Sequence, residues 1–193
     1  MAAGRYDAIS LPTCKNRRRL LQIGLGLSAS LMVPSAFANI LKQPERKLSL
    51  YNLHTGEHLT ATYWAEGQYQ HDELSAINHI LRDFRTGDVK QIDPKLIDLL
   101  NVLHHKLDAK QAFNVISGYR SPKTNASLRK HSQGVAKHSL HMEGQAIDIR
   151  LPGTHLSQLH KAALKLHLGG VGYYPKSDFV HVDTGRVRHW QGS

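Results

Sequence analysis

The stretch SLHMEGQAID at residues 139–148 decides the fold of this 193-residue chain, together with FVHVD at residues 179–183. Side chains alternate between the two faces of a strand, so Asp148 faces away from the apolar residues that flank it, and His181 does the same in the second stretch. A carboxylate on a half-buried strand is costly unless it is paired or bound to a metal. If the two strands are neighbours, we expect Asp148 and His181 to point into one cleft.

His141 adds a third candidate ligand to this cleft. It precedes Asp148 by seven residues, and Gly144 between them allows the chain to turn. Two imidazoles and one carboxylate leave a tetrahedral zinc ion with an open fourth position, which is typical of catalytic sites and not of structural ones. The alternative is that Asp148 pairs with an arginine such as Arg120 or Arg150, and that the two histidines are incidental among the 14 in the chain.

Outward from this stretch, the sequence predicts a single α+β domain. Apolar residues at helical spacing indicate helices at 72–85, 93–107, 122–130 and 156–166. Alternating apolar residues indicate a hairpin at 47–64 and strands at 113–116, 144–151, 171–174 and 179–183. We therefore expect helices mostly in the first part, and a small, mainly antiparallel sheet that carries the metal site in the last third.

The first 38 residues predict a secretory signal. Three consecutive arginines at 17–19 precede a weakly polar run at 23–33, and AFA at 36–38 forms a small-x-small cleavage site. Consecutive arginines favour the twin-arginine export route. A membrane anchor is the alternative, but the run falls short of the roughly 20 apolar residues that a span needs. The chain is thus predicted to hold a signal at 1–38, a short linker at 39–46 and a domain at 47–193, and to reside in the periplasm.

Charge and cysteine content narrow the possible partners. The only cysteine, Cys14, lies in the predicted signal, so the exported protein would have no disulfide, thiol nucleophile or Cys-type zinc site. Removing residues 1–38 takes away five basic residues and one acidic residue, and the formal charge falls from +10 to +6. That charge is spread along the chain, which disfavours nucleic acid as a partner. We expect no stable membrane anchor after cleavage, and a basic surface suits an anionic polymer such as the cell wall.

Three elements, in order, resemble the D-alanyl-D-alanine metallopeptidase family. Residues 139–148 match its S-x-H-x-x-G-x-A-x-D motif, SGYR at 117–120 is similar to its upstream element, and 179–183 is similar to its downstream metal-histidine strand. Residues 50–57 and 169–175 resemble a subgroup of periplasmic murein endopeptidases with twin-arginine signals. The resemblance covers essentially the whole exported chain, and it implies a hedgehog/D,D-peptidase-like fold.

The resemblance also implies a role for each residue of the site. Zinc would be bound by His141, Asp148 and His181. The guanidinium of Arg120 would hold the scissile carbonyl or the anion that forms from it. Ser139 would support the first ligand through a hydrogen bond.

The resemblance leaves more than one candidate for the group that transfers protons during hydrolysis. The family commonly places its catalytic acid three residues before the last ligand, which here is Asp178; it would take a proton from the activated water and pass it to the leaving amine. Asp183 is the alternative, although it could instead orient a ligand histidine. His138 is a candidate substitute ligand or base, but its polar neighbours favour an ordinary loop histidine.

Three aromatic residues are candidates to line the substrate groove, namely Tyr173, Tyr174 and Trp190. For each of them, packing in the core or near the C terminus is an equal alternative.

The function that the resemblance implies is a zinc-dependent murein endopeptidase that hydrolyses peptide cross-links of peptidoglycan. Two alternatives keep the zinc: a non-catalytic peptidoglycan-binding or regulatory module, and a D,D-carboxypeptidase that trims stem peptides. The segment between Asp148 and His181 has no long polar insertion that would close the groove, which favours the endopeptidase. The bond cut, D-alanyl–diaminopimelate or diaminopimelate–diaminopimelate, stays open, and no protein partner is indicated.

Overall fold

The computed structural model describes residues 42–131 and 134–192. The predicted signal at 1–38, with Cys14, lies outside these residues, and so do residues 39–41 of the predicted linker. Within the described part of the chain, none of the helices combines the length and the apolar composition that crossing a bilayer requires.

Strands and helices both run through the described chain, and they confirm the α+β class. The strands are β1 (Arg46–Asn52), β2 (His58–Ala65), β3 (Gln68–Tyr69), β4 (Phe113–Ser117), β5 (Ala146–Arg150), β6 (Gly170–Tyr174), β7 (Phe179–Asp183) and β8 (Arg188–Gln191). The helices are α1 (His71–Ile80), α2 (Pro94–Lys106), α3 (Pro122–His131) and α4 (Leu156–Leu164), and a 3-10 turn spans Leu140–Glu143.

The strands form one mixed sheet in the order β3-β2-β1-β4-β5-β7-β6-β8. The β1–β4 and β6–β8 pairs are parallel, and the other five pairs are antiparallel. The sheet is larger than the sequence predicted because the N-terminal hairpin joins it, with Leu50 of β1 opposite Phe113 of β4. Strand β8 extends it at the other edge, so the sheet spans both halves of the domain.

Helix α2 begins at the residues that its capping chemistry indicates. Asp93 accepts a hydrogen bond from the backbone N–H of Lys95 (2.9 Å), and Pro94 fills the first position, where no backbone donor is needed. The apolar stripe that follows is buried against the sheet, at Leu96, Ile97, Leu99, Leu100 and Leu103.

Helix α1 ends at Ile80, so the prediction that it continues to residue 85 was wrong. The carbonyl oxygen of Leu81 accepts a hydrogen bond from the backbone N–H of Tyr119 (2.7 Å), which lies in the loop after β4. A tertiary contact therefore replaces the next turn of the helix.

The apolar face of the sheet lies in the core and leaves the other face to the site. Ile147, Ile149, Val180 and Val182 are at most 1% exposed and belong to one cluster with apolar residues of α2 and α4. The pairing of β5 with β7 sets Asp148 directly opposite His181, on the alternate positions of both strands. The alternation predicted from the sequence is confirmed.

A buried ionic group, which we call the Asp98 cluster, joins β1 and the β2–β3 hairpin to α2. The carboxylate of Asp98 accepts hydrogen bonds from Arg46 (2.5 Å), Tyr63 (3.0 Å) and Tyr69 (2.7 Å). Burial and the neighbouring Asp98 charge raise the pKa of Tyr69 to about 12, so its hydroxyl remains a donor. The Arg46 guanidinium lies 3.9 Å from the centre of the Trp64 ring.

The Asp98 cluster also places the start of the ordered strand. Arg46 is the last residue of the linker predicted at 39–46, yet it is the first residue of β1 and is only 4% exposed. Its partner lies 52 residues away in the sequence, on a helix, and no local pattern at the linker indicates that contact.

Candidate metal centre

Three side chains meet on the face of β5 and β7 that is turned away from the apolar core. The Nδ1 atom of His181 lies 2.8 Å from Oδ1 of Asp148, and Nε2 of His141 lies 3.2 Å from Nδ1 of His181 and 3.3 Å from Oδ2 of Asp148. One ligand atom from each residue lies within 4.8 Å of the others. These are the three residues that the sequence predicted as ligands, and the structure brings them together.

A short turn with defined ends carries His141 to this position. The Ser139 hydroxyl accepts a hydrogen bond from the backbone N–H of His141 (3.4 Å) at the start of the 3-10 turn. Gly144 ends the turn with a φ of 67°, a conformation that glycine adopts without strain. A Cβ atom there would lie 2.4 Å from the carbonyl oxygen of Gln91, so the neighbouring backbone also requires glycine.

The far nitrogen of each histidine is already engaged. Nδ1 of His141 lies 2.8 Å from the carbonyl oxygen of Gly118, and Nε2 of His181 lies 3.1 Å from Oδ2 of Asp183. Both partners are acceptors only, so both far nitrogens carry the proton and donate it. This leaves a lone pair on Nε2 of His141, which faces Nδ1 of His181, and that Nδ1 atom lies 2.8 Å from the Asp148 carboxylate, where it binds either a proton or a metal ion.

Such a cluster suits a cation at its centre. Two imidazole nitrogens and one carboxylate oxygen form a donor set that suits zinc and other divalent transition metals. The hydrogen-bonded far nitrogens are the arrangement that commonly orients metal-binding histidines. The residues present therefore fit a bound metal ion.

The pKa shifts of the three groups show that the buried Asp148 carboxylate favours a positive charge beside it. Burial lowers the pKa of His141, and Asp148 only partly opposes it. Burial alone would raise the pKa of Asp148, but His141 and His181 outweigh it and hold that pKa far below its ordinary value. Burial would lower the pKa of His181, but Asp148 and Asp183 raise it to about 9. Without a metal, a proton on His181 supplies the missing charge.

Asp183 has the surroundings of an orienting group and not of a base. Its side chain is fully buried, and it accepts hydrogen bonds from His181 and from both terminal nitrogens of Arg188, the shorter at 2.7 Å. The backbone N–H groups of Gly170 and Gly185 add two more, at 2.9 and 2.8 Å. Burial raises the pKa of Asp183, but these donors together hold it well below the ordinary value. A carboxylate that is held by so many donors has little freedom to exchange protons with a substrate.

Arg120 reaches the cluster from the loop between β4 and α3. Its Nη2 atom lies 3.7 Å from Oδ2 of Asp148 and 3.5 Å from the hydroxyl of Ser117. Its Nε atom is buried and has no hydrogen-bond partner among the described residues. The guanidinium thus keeps donor capacity for a ligand beside the three-residue cluster.

The cluster opens on a cavity of about 680 Å³ with two different walls. One wall is formed by residues 134–136 and 138–140, which include His138 and Ser139. The other wall consists of side chains of β6, β7 and β8, namely Tyr174, Phe179, Arg188 and Trp190. His138 lies in the wall and is not one of the three grouped ligands.

Of the two tyrosines predicted to line the groove, only Tyr174 lies at the cavity, because neighbouring strand residues face opposite ways. Tyr174 lines the cavity, and its hydroxyl accepts a hydrogen bond from the indole N–H of Trp190 (2.9 Å). Tyr173 is turned to the other face, where it packs on the core and stacks on His160 at 4.6 Å. Arg188 was not predicted as a site residue, although its position two residues before Trp190 on a strand puts both on one face.

Asp178 is not brought to the cluster. Its carboxylate forms an ion pair with Arg150 (2.5 Å), its side chain is 58% exposed, and the residues that line the cavity include its neighbours Ser177 and Phe179 but not Asp178 itself. Of the two arginines named as alternative partners of Asp148, Arg150 contacts Asp178 instead, whereas Arg120 does lie 3.7 Å from the Asp148 carboxylate, beside the two histidines.

A buried two-histidine, one-aspartate cluster that opens on a cavity beside an arginine is an arrangement typical of the class of metal-dependent hydrolases. The chain belongs to the family described as peptidoglycan L,D-endopeptidase MepK, whose model matches residues 41–190. The predicted resemblance to the D-alanyl-D-alanine metallopeptidases, and with it the assignment as a peptidase, is confirmed.

Two relatives show how far the similarity extends. Peptidoglycan L,D-endopeptidase MepK of Escherichia coli strain K12 is 47% identical over 176 residues, which cover 91% of this chain and 97% of the relative. The probable peptidoglycan L,D-endopeptidase MepK of Haemophilus influenzae is 39% identical over 180 residues, which cover 92% of this chain and 97% of the relative.

Proposed function

We propose that this chain is a zinc-dependent endopeptidase that cuts peptide cross-links of peptidoglycan in the periplasm. The observation that carries the proposal is the convergence of the near nitrogens of His141 and His181 on the Asp148 carboxylate, in a cluster open to a cavity. That arrangement suits a divalent cation and leaves room for a substrate. The names of the relatives supply the class of substrate.

His141, Asp148 and His181 would hold the zinc ion, and Asp183 and the Gly118 carbonyl would keep the two imidazoles in the tautomer that binds it. A zinc ion in such a site supplies Lewis-acid chemistry, by polarising a carbonyl and acidifying a water molecule. Ser139 fixes the turn that presents His141.

Arg120 would bind the oxygen of the scissile carbonyl and stabilise the negative charge that develops on it. Its guanidinium is 13% exposed and already lies beside Asp148, so little reorganisation is needed when charge appears. Burial lowers the pKa of Arg120, and the Asp148 charge opposes that shift.

Asp178 would move the proton, from the attacking water to the nitrogen of the leaving amine. This role rests on its position three residues before His181. In the structure its carboxylate contacts Arg150, so the role requires that substrate binding draws it away from that exposed ion pair. Exposed ion pairs are weak enough for this exchange.

The word L,D-endopeptidase in the names of the relatives favours one of the two cross-links. A D-alanyl–diaminopimelate bond joins two D centres, whereas a diaminopimelate–diaminopimelate bond joins an L centre to a D centre. We therefore infer that the second bond is the substrate. Export would follow the twin-arginine route through the signal at 1–38.

Digestion of purified muropeptides tests the proposal. We expect dimers with diaminopimelate–diaminopimelate cross-links to become monomers, and we expect a chelator to stop the reaction and zinc to restore it. Release of D-alanine from monomers with dimers left intact would identify a carboxypeptidase. Binding to sacculi without any change in product masses would identify a non-catalytic module.

A further inference from the structure

The loop that carries Arg120, residues 117–121, lies tightly against the chain that follows α1. The backbone N–H of Tyr119 donates to the carbonyl of Leu81 (2.7 Å), and the backbone N–H of Arg120 donates to the carbonyl of His141 (3.1 Å). A Cβ atom on Gly118 would lie 2.5 Å from the Leu81 oxygen. The loop therefore depends on a close contact with the residues just after α1.

Asp83 provides the side-chain part of that contact. It is 1% exposed, and its Oδ2 atom accepts a hydrogen bond from the backbone N–H of Ser121 (2.8 Å), the residue next to Arg120. Its Oδ1 atom accepts from the backbone N–H of Arg85 (3.0 Å). One buried carboxylate thus links the segment after α1 to the end of the Arg120 loop.

Asp83 also organises the start of α3. The hydroxyls of Thr124 and Ser121 lower the pKa of its carboxyl group, and the Ser121 hydroxyl accepts the backbone N–H of Thr124 (3.2 Å). Burial raises the pKa of Asp83, but these hydrogen bonds lower it on balance, so the group is ionised. It is not one of the three metal-binding candidates.

We propose that Asp83 is a positioning residue for Arg120, which fixes residues 117–121 so that the guanidinium lies beside Asp148. The proposal rests on the role given to Arg120 in the proposed function. The Ser121 hydroxyl caps α3, so the contact of Asp83 with the Ser121 backbone acts mainly on the loop that ends there. That backbone contact is made to the residue that follows Arg120, and the other is made to Arg85 in the segment after α1.

Asp83→Asn is the direct test, because an amide can accept at only one of the two positions and places a donor at the other. We expect kcat for dimer cleavage to fall about tenfold to hundredfold, since small displacements of a catalytic group have effects of this size. KM and zinc content should change little. In an Arg120→Gln background the same substitution should add no further loss, because residues that act as a unit are not additive.

The matched control is Asp98→Asn, a second buried aspartate that contacts neither Arg120 nor its loop. It should lower the denaturation midpoint and leave kcat unchanged. If Asp83→Asn lowers kcat equally with and without Arg120, its role is general stability and the proposal fails. Thr124→Val is the substitute test if Asp83→Asn does not fold. It removes one hydroxyl near Asp83 and keeps the carboxylate, and we expect a smaller fall in kcat than for Asp83→Asn.

A second measurement needs no activity. The Arg120 Nε–H resonance of the metal-free protein should shift or broaden in Asp83→Asn and Thr124→Val, and should stay unchanged in Asp98→Asn. An unchanged Arg120 signal in folded Asp83→Asn would overturn the proposal. If wild-type protein cuts no muropeptide, the proposed function fails, and the Arg120 signal still decides whether Asp83 positions that side chain.

Discussion

Asp98 and Asp148 are both buried aspartates, at 8% and 5% exposure, and their neighbours differ in kind. Asp98 is surrounded by donors: one guanidinium and two tyrosine hydroxyls all point at its oxygens. Asp148 is surrounded by imidazoles whose far nitrogens already donate elsewhere. The Asp98 cluster is complete within the fold, whereas the near nitrogens of the two histidines beside Asp148 remain available to a cation from outside.

The comparison shows that burial of a charge does not by itself indicate function. A buried carboxylate is costly in either place, and both are compensated. What separates them is the direction of the neighbouring protons. In the Asp98 cluster every neighbouring proton points inward, and in the Asp148 cluster the far-nitrogen protons of both histidines point outward. The following substitutions test this difference, beginning with the largest expected effect.

Asp148→Ala should break the metal centre. We expect cleavage to fall by roughly 10³-fold or more, since a metal ion contributes several kcal/mol to such reactions. Elemental analysis should find little zinc in the purified variant, and added zinc should raise the melting temperature of the wild type but not of Asp148→Ala. Full zinc content in the variant would remove Asp148 from the ligand set.

Asp178→Asn should separate proton transfer from metal binding. We expect a rate loss on the order of 10²- to 10⁴-fold with unchanged zinc content, because general acid–base catalysis contributes about that much. The denaturation midpoint should not move, since the side chain is 58% exposed. A cleavage rate equal to that of the wild type would show that a group other than Asp178 transfers the proton.

Arg120→Gln should remove charge stabilisation while keeping the three ligands. We expect kcat to fall about 10²- to 10³-fold, as when one oxyanion donor is removed. Arg82→Gln serves as the control, because the Arg82 side chain pairs with Glu57 (2.8 Å) and does not line the cavity, so kcat should stay unchanged. An equal loss in both variants would argue against a specific role for Arg120.

Asp183→Asn should weaken the centre without abolishing it. The neutral amide no longer holds the His181 proton outward as strongly, and we expect zinc affinity to fall about 10- to 100-fold. Competition with a fluorescent zinc chelator measures this change. If affinity is unchanged, the orientation of His181 does not depend on the Asp183 charge.

Asp98→Asn should lower stability and leave the metal centre and its activity intact. It leaves at least one tyrosine hydroxyl or the Arg46 guanidinium without its acceptor, and we expect a loss of about 1–3 kcal/mol in the free energy of unfolding. Urea denaturation measures that loss, and zinc content and kcat should match the wild type. A loss of zinc in this variant would show that the two clusters are coupled.

The sequence predicts which side of each strand His181 and Asp148 occupy because that information is local. Strand alternation turns each of them away from its apolar neighbours, and the structure adds the pairing of β5 with β7 that sets the two opposite each other. The α+β class follows from the same patterns. Local periodicity does not predict the partner of a strand, so the union of β1 with β4 and the addition of β8 were missed.

The contacts that the sequence did not predict are between distant residues. The pairing of Asp178 with Arg150 joins a turn to a strand 28 residues earlier, and neither neighbourhood indicates the other. Tyr173 and Tyr174 are adjacent, and only the register of β6 decides which of them faces the cavity. Both outcomes depend on tertiary packing.

Gly172 on β6 controls the shape of the cavity and therefore which substrates the cavity accepts. The Trp190 indole lies over that residue, and a Cβ atom there would come within 2.7 Å of the ring. A single added methyl group at residue 172 must therefore displace the indole, and with it the hydrogen bond to Tyr174. The absence of a side chain at Gly172 thus fixes the position of the Trp190 indole in the cavity wall. A substitution there contacts no proposed ligand and no proposed catalytic group, yet it would change the shape of the space that a substrate occupies.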